Sequence, residues 1–177
     1  MLLRVRQDYR FQEPIQIEGG PQITGSIQRA SDAETPALDF SNPRLILRVG
    51  PNSLLRTGQV VRRRGGGERF VVADHSRTPW YRTFWLFTAH KQALWQQPVT
   101  VTNPLTGLSD DTSWSAGEQI WVGWEVITRE LLDRQMNSRE EMYRVITGKP
   151  IQLNDQIAGH RVKRINEALG IYFLTVQ

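Results

Sequence analysis

Cysteine is absent from the 177 residues. Its absence excludes a disulfide framework, a thiolate metal site and a cysteine nucleophile, and it fits a reducing compartment. No apolar run approaches the roughly 20 residues that span a bilayer, and residues 1–6 hold too few apolar side chains for a signal peptide. We therefore expect no membrane partner.

Lysine is scarce, because only 3 of the 22 basic residues are Lys and the other 19 are Arg. Arginine offers a planar fork of donors that suits phosphate contacts and subunit interfaces. A GC-rich genome would give the same bias without any function. The net charge of +4 and the pI near 9.8 are compatible with contact to nucleic acid but do not require it.

Short apolar or β-branched segments separated by Gly, Pro and Asn turns predict eight to ten strands and at most one or two short helices. This pattern is typical of an all-β fold, a barrel or sandwich with long loops. At this length we expect a single domain over residues 1–177. The clearest strands are predicted at residues 15–18, 23–27, 45–49, 58–63, 70–73, 81–89, 99–102 and 120–124.

One strand–turn–strand pattern occurs twice. The first copy joins residues 58–63 to 70–73 through three glycines, and the second joins 159–164 to 171–174 through a turn at 166–170. Each copy predicts a β-hairpin with a basic outer face. An internal repeat and generic hairpin chemistry explain the pattern equally well.

Other segments stand apart from the strand pattern. Residues 29–43 are polar and Pro-containing, which predicts an extended surface loop suited to partner docking. A helix is predicted from Thr128 to about residue 136, or restarting at Ser138. Residues 154–177 are expected to form the C-terminal hairpin.

Arginine flanks the glycines of the first hairpin. A phosphate-binding loop needs Gly-Lys-Ser/Thr followed by a helix, whereas a strand follows here, so nucleotide binding is not expected. The tip carries Arg62, Arg63, Arg64 and Arg69. These side chains are predicted to face DNA or a DNA-filled lumen, and a solvated turn is the alternative.

All six tryptophans fall within residues 80–124. Some must pack in the core, but this clustering predicts that several contact another chain. Trp80, Trp85, Trp121 and Trp124 are the predicted subunit-interface residues. Stacking platforms for nucleic acid or sugar are the rival interpretation.

Neither a catalytic nor a metal site is predicted, and no cofactor is implied. Asp74, His75 and Ser76 are adjacent, but triads assemble from distant segments, so we interpret the first two as a turn-capping pair at a strand end. The three histidines lack metal-ligand spacing. Asp110 and Asp111 are only two carboxylates in a predicted loop, too few for calcium.

The residues of the two hairpins carry a resemblance. The run Leu55-Arg56-Thr57-Gly58-Gln59-Val60-Val61, followed by residues 67–75, resembles a hairpin module of small virion proteins of tailed bacteriophages. It is most similar to head-closure, or stopper, proteins and neighbouring neck and tail proteins. Residues 154–162 and 170–173 have a similar pattern.

This resemblance implies a β-barrel that assembles as a homo-oligomeric ring between portal and tail, with other neck, portal or tail proteins as partners. It implies a place in the virion after assembly in the host cytoplasm, genomic DNA in the channel, and no catalytic residues. The chain is longer and richer in Trp than a typical stopper, which leaves a tail-completion or baseplate role open.

Three hypotheses follow. The first is a non-enzymatic, ring-forming subunit of the phage head-to-tail connector. The second is a single-stranded nucleic-acid-binding β-barrel that uses the arginine hairpin with Trp80, Tyr81 and Trp85. The third is a hydrolase whose site the sequence does not reveal.

Overall fold

A computed structural model of the chain describes residues 12–30, 43, 45–102, 109–127 and 142–177. These residues form strands and connections, with no helix among them. The strands are β1 (Glu13–Ile17), β2 (Gln22–Arg29), β3 (Leu45–Val49), β4 (Val60–Arg63), β5 (Arg69–Arg77), β6 (Arg82–Thr88), β7 (Lys91–Gln96), β8 (Pro98–Thr102), β9 (Ser109–Trp114), β10 (Glu118–Ile127), β11 (Met142–Thr147), β12 (Gln156–Ile157), β13 (His160–Ala168) and β14 (Ile171–Val176).

The strands close into two antiparallel barrels. Barrel 1 has the order β1-β2-β3-β6-β5-β4, and barrel 2 has the order β10-β11-β14-β13-β12-β7. Strands β8 and β9 form a separate two-stranded sheet between β7 and β10 in the chain. Closure leaves no open edge in either barrel, and the predicted all-β barrel class is confirmed.

The two barrels have the same connectivity. If β7 is matched to β1, then β10, β11, β12, β13 and β14 match β2, β3, β4, β5 and β6, and every pairing in one barrel has its counterpart in the other. The register agrees as well, since Val61 pairs with Ile17 in barrel 1 and Ile157 pairs with Trp95 in barrel 2. The fold is therefore an internal duplication of one six-stranded unit.

Backbone geometry also repeats at the entrance to the fourth strand of each barrel. Gly58 and Asn154 have positive φ angles of 84° and 70°. The Gly58 N–H donates to the Val72 carbonyl at 2.8 Å, and the Asn154 N–H donates to the Val162 carbonyl at 3.1 Å. Each valine donates back to the residue after the glycine or asparagine, at 2.9 and 2.8 Å.

The residue that follows Gly58 or Asn154 accepts an equivalent side-chain hydrogen bond in each barrel. In barrel 1 the Arg56 N–H donates to Oε1 of Gln59 at 2.8 Å. In barrel 2 the Gln152 N–H donates to Oδ2 of Asp155 at 2.9 Å, and the same oxygen accepts from Nε1 of Trp95 at 2.8 Å. Asp155 is almost fully buried, so these two bonds compensate its removal from water.

An apolar core fills each barrel, because inward positions alternate along every strand. Barrel 1 encloses Ile15, Ile17, Leu47, Val49, Leu55, Val61, Phe70, Val72, Phe84 and Leu86. Barrel 2 encloses Ala93, Ile120, Val122, Val145, Ile151, Ile157, Val162, Leu174 and Val176. Matched positions hold different side chains, such as Phe84 and Leu174, so the repeat is one of shape and register.

A third core lies between the barrels. Barrel 1 contributes Ile46, Val71, Ala73, Trp85 and Phe87, with Ala89 beyond its last strand, and barrel 2 contributes Ile146, Ile171 and Phe173. The rings of Phe87 and Phe173 meet edge to face, with centroids 5.4 Å apart. Strand β6 thus faces an apolar core on both sides, and its outer cover is the second barrel of the same chain.

Both predicted hairpins form, as β4–β5 and β13–β14. They occupy different places in their barrels, because β4–β5 matches β12–β13 whereas β13–β14 matches β5–β6, so the pattern reflects generic hairpin chemistry and not the internal repeat. The second turn lies at Leu169 and Gly170, where φ is 55° and 72°. Two positive φ values are what a tight type I′ hairpin turn requires, and they allow Asn166 to pair with Phe173.

Other predictions differ from the structure or concern residues outside the described ranges. The 110–111 segment belongs to β9, so the predicted loop there is wrong. Strand β7, with its Lys and Gln residues, was not predicted. The predicted helix from Thr128 lies outside the described residues, as does the loop at 29–43 apart from its first two residues and Pro43. No helix in the described part of the chain is long and apolar enough to cross a membrane.

Gly148 lies at the contact between the barrels, where the backbone of Gly58 leaves no space for a side chain. A Cβ there would overlap the carbonyl of Gly58, whereas the matched position in barrel 1, Gly50, has open space. We expect Gly148→Ala to lower the free energy of unfolding by about 1–3 kcal/mol, the usual range for overpacking, and Gly50→Ala to leave it nearly unchanged. Urea unfolding measures both. Equal stability of the two variants would contradict close backbone packing.

Candidate functional site

The predicted basic tip is the connection between β4 and β5. Arg62, Arg63 and Arg64 are exposed there, and Gly67 turns the chain with φ of 68°. The tip borders a cleft of about 400 Å³ lined by Pro14, Gln16, Gln22, Arg62, Arg63, Arg64 and Gly67. Apart from proline and glycine, every lining side chain can donate hydrogen bonds.

Two of the four predicted arginines have carboxylate partners. Nε of Arg63 lies 2.8 Å from Oε2 of Glu13, and Nε of Arg69 lies 2.7 Å from Oε1 of Glu18. Among the residues that the structure describes, Arg62 and Arg64 form no ion pair. The exposed Glu68 lies on the same connection and reduces the net positive charge of the tip.

Arg69 connects the two barrels. Its guanidinium carbon lies 4.0 Å from the ring centroid of Trp121, which belongs to barrel 2. The guanidinium therefore stacks on an indole on one side and meets the Glu18 carboxylate through Nε. Arg69, which was predicted to face DNA, therefore lies half-buried in a contact between the two barrels.

A groove of about 480 Å³ runs between the barrels beside this contact. Its charged lining residues pair within the chain: Lys149 Nζ lies 2.6 Å from Oε1 of Glu118, and Glu18 is held by Arg69. The described residues of this groove therefore offer a ligand no uncompensated charge.

Trp85, a predicted interface residue, lies inside the chain. It is 3% exposed, in the core between the barrels. Its ring stacks on His75, with centroids 4.4 Å apart and planes 19° apart. Asp74 and His75 sit at a β-bulge within β5, so their interpretation as a turn-capping pair at a strand end is wrong.

Trp124 belongs to an aromatic group at one end of barrel 2. Its ring lies 5.1 Å from Tyr143 and 5.6 Å from His160, and Nζ of Lys91 lies 3.6 Å from its centroid. The matched positions in barrel 1 are Ile27, Leu45 and Phe70. Trp124 and Trp121 are both half-buried.

Trp80 is the only one of the six tryptophans that is exposed, at 76%. Its turn is fixed by Thr78, whose Oγ1 accepts from the N–H groups of Trp80 and Tyr81 at 3.4 and 3.1 Å. The Thr78 N–H in turn donates to the Tyr81 carbonyl at 2.9 Å. The indole is therefore displayed on a well-ordered turn.

A second exposed apolar residue, Leu54, lies at the same end of barrel 1, since β3 ends where β6 begins. The side chain is 69% exposed. Arg82 holds its loop by donating to the carbonyls of Ser53 and Leu55 at 3.3 and 2.9 Å. Sequence reasoning missed Leu54 and Arg82, because the pattern does not show which loops meet at a barrel end.

In the described part of the chain, no three His, Asp or Glu side chains come together in a way that could hold a metal ion. Comparison of the chain with known protein families, curated proteins and solved structures gives no match. The class that the fold defines is an all-β protein of two duplicated six-stranded barrels, and the phage resemblance stays a prediction.

Arg69 and Arg63 form a matched pair for testing the structural contact. We expect Arg69→Gln to lower the free energy of unfolding by about 1–2 kcal/mol, because it loses a partly buried ion pair and a cation–π contact. Arg63→Gln loses only an exposed ion pair, so its effect should stay below about 0.5 kcal/mol. Thermal or urea unfolding compares them. A larger loss for Arg63→Gln would contradict the assignment.

Proposed function

We propose that this protein is a non-enzymatic structural subunit of a tailed-phage virion, which forms a ring at the head-to-tail interface and joins portal or adaptor to tail. The observation that carries the proposal is the exposed end of barrel 1 with Trp80 and Leu54. Its partners are further copies of the chain and other neck, portal or tail proteins. Assembly takes place in the host cytoplasm.

The exposed end fits a protein contact for energetic reasons. Tryptophan is enriched among the residues that dominate interface energies, because it buries a large area with little loss of side-chain freedom. The bonds of Thr78 and Arg82 order the two loops before any partner arrives. A preorganised contact loses less entropy on binding.

A second candidate is the single-stranded nucleic-acid-binding module. The exposed Arg62 and Arg64 favour it, since they lack carboxylate partners among the described residues. The stacking surface that it needs is less complete. Trp85 is buried, and Tyr81 is half-buried with the Arg48 guanidinium carbon 5.5 Å from its ring centroid. Of the three aromatic residues that this hypothesis names, only Trp80 has an exposed ring.

Light scattering of the purified full-length protein tests the proposal. We expect one discrete oligomer, whose mass falls for Trp80→Ala because the central contact is lost. Leu153→Ala removes another large exposed apolar side chain, 57% exposed on barrel 2, and should keep the wild-type mass. A wild-type monomer at every concentration, or an unchanged mass for Trp80→Ala, would refute the ring contact.

The same preparation separates the two candidates. A short single-stranded oligonucleotide should leave the Trp fluorescence unchanged if the protein is a connector subunit, because no base then stacks on Trp80. A mass shift with fluorescence quenching, weakening steeply as salt rises, would instead favour the nucleic-acid-binding module.

A further inference from the structure

The outer face of barrel 2 differs in chemistry from the matching face of barrel 1. In barrel 1, Ile46, Val71, Ala73 and Trp85 form the apolar face that packs against barrel 2. The register places Arg144, Arg161, Arg164 and Thr175 at the same positions in barrel 2. Three apolar residues are thus replaced by arginines.

A β-bulge in β13 concentrates the positive charge. The register shifts between Val162 and Arg164, so Lys163 is the extra residue. Val162 faces the core and Ile165 packs against it, which leaves Lys163 and Arg164 together outside. Regular alternation would direct one of these two side chains inward. The bulge instead adds Lys163 and Arg164 to the face that Arg161 already occupies.

The charges on this face are largely uncompensated. Arg161, Lys163 and Arg164 are exposed, and none has a carboxylate partner within the part of the chain that the structure describes. Glu125 lies 3.8 Å from Arg144, at the far side of the row. At the basic tip of barrel 1, by contrast, Glu13 and Glu18 neutralise two of the four arginines.

The arrangement favours nucleic acid over a protein partner. Across the sheet the central row runs Arg164, Thr175, Arg144, with strands about 4.8 Å apart. Arginine also occurs at protein interfaces, but there it accompanies an apolar or aromatic anchor at the centre, which this row lacks. Interfaces with DNA are polar and strongly positive. The row also has no ring on which an unpaired base could stack.

We propose that the face formed by Arg144, Arg161, Lys163, Arg164 and Thr175 binds the phosphate backbone of double-stranded DNA without reading its sequence. The guanidinium and ammonium groups contact phosphates, and the Thr175 hydroxyl supplies a further donor. This surface is separate from the exposed end of barrel 1. The ring measurement and the DNA measurement can therefore fail independently of each other.

Fluorescence anisotropy with a short labelled duplex of mixed sequence tests the inference on the full-length protein. We expect Arg161→Gln with Lys163→Gln to weaken binding about tenfold or more and to lower the slope of log K against log salt by about two. Arg56→Gln with Arg77→Gln removes the same charge from exposed positions of barrel 1. That control should stay within about twofold of the wild type.

Arg62→Gln with Arg64→Gln tests the rival surface, and thermal unfolding checks that every variant is folded. A larger loss for this pair would place the contact at the hairpin tip and overturn the inference. Equal losses for all three pairs would indicate a general effect of net charge and would also overturn it. Undetectable binding of the duplex, or tighter binding of single strands, would overturn the inference as well. It would also be overturned if polyglutamate displaced the labelled duplex as effectively as unlabelled duplex does.

Discussion

The apolar contact between the barrels is the constraint on which the rest of the structure depends. Each barrel encloses its own core, but the outer side of β6 carries Trp85 and Phe87, which lie in the apolar core shared with Ile146, Ile171 and Phe173 of the second barrel. Exposing them would cost about 1.5–3 kcal/mol for each large side chain. This contact fixes where barrel 2 sits, brings Trp121 beside Arg69, and leaves the exposed end of barrel 1 and the basic face of barrel 2 open to partners.

Packing between the repeats is not symmetric. Barrel 1 uses the patch around Trp85, whereas barrel 2 uses the other end of the matching sheet face, around Ile146 and Phe173. A contact between unlike patches leaves one unmatched patch on each unit. Here the unmatched patch of barrel 2 carries Arg144, Arg161 and Arg164 in place of apolar residues. Charge therefore makes this patch unsuited to the apolar contact that its counterpart in barrel 1 forms, and gives it another chemistry.

The sequence predicted the all-β class and the strand at residues 45–49, because β-branched runs between turns have few other solutions. It did not predict the duplication, since matched core positions hold pairs such as Ile27 and Trp124. The pattern predicted a strand at residues 81–89, but it did not show that a second barrel of the same chain covers the outer face of this strand. For the candidate site, exposure of Arg62 and Trp80 depends on which loops and carboxylates meet in space, and local patterns carry no such information.

The two barrels are made one after the other during synthesis. Barrel 1 has all its strands once Thr88 is made, yet the cover for Trp85 and Phe87 includes Phe173, which is 84 residues beyond Ala89. At about 5–20 residues per second, the ribosome takes roughly 4–17 s to supply it. During that interval a folded barrel 1 would leave Trp85 and Phe87 without the cover that Phe173 provides. Crowded expression therefore favours premature association at these side chains, and chaperones that bind exposed apolar surface would protect them.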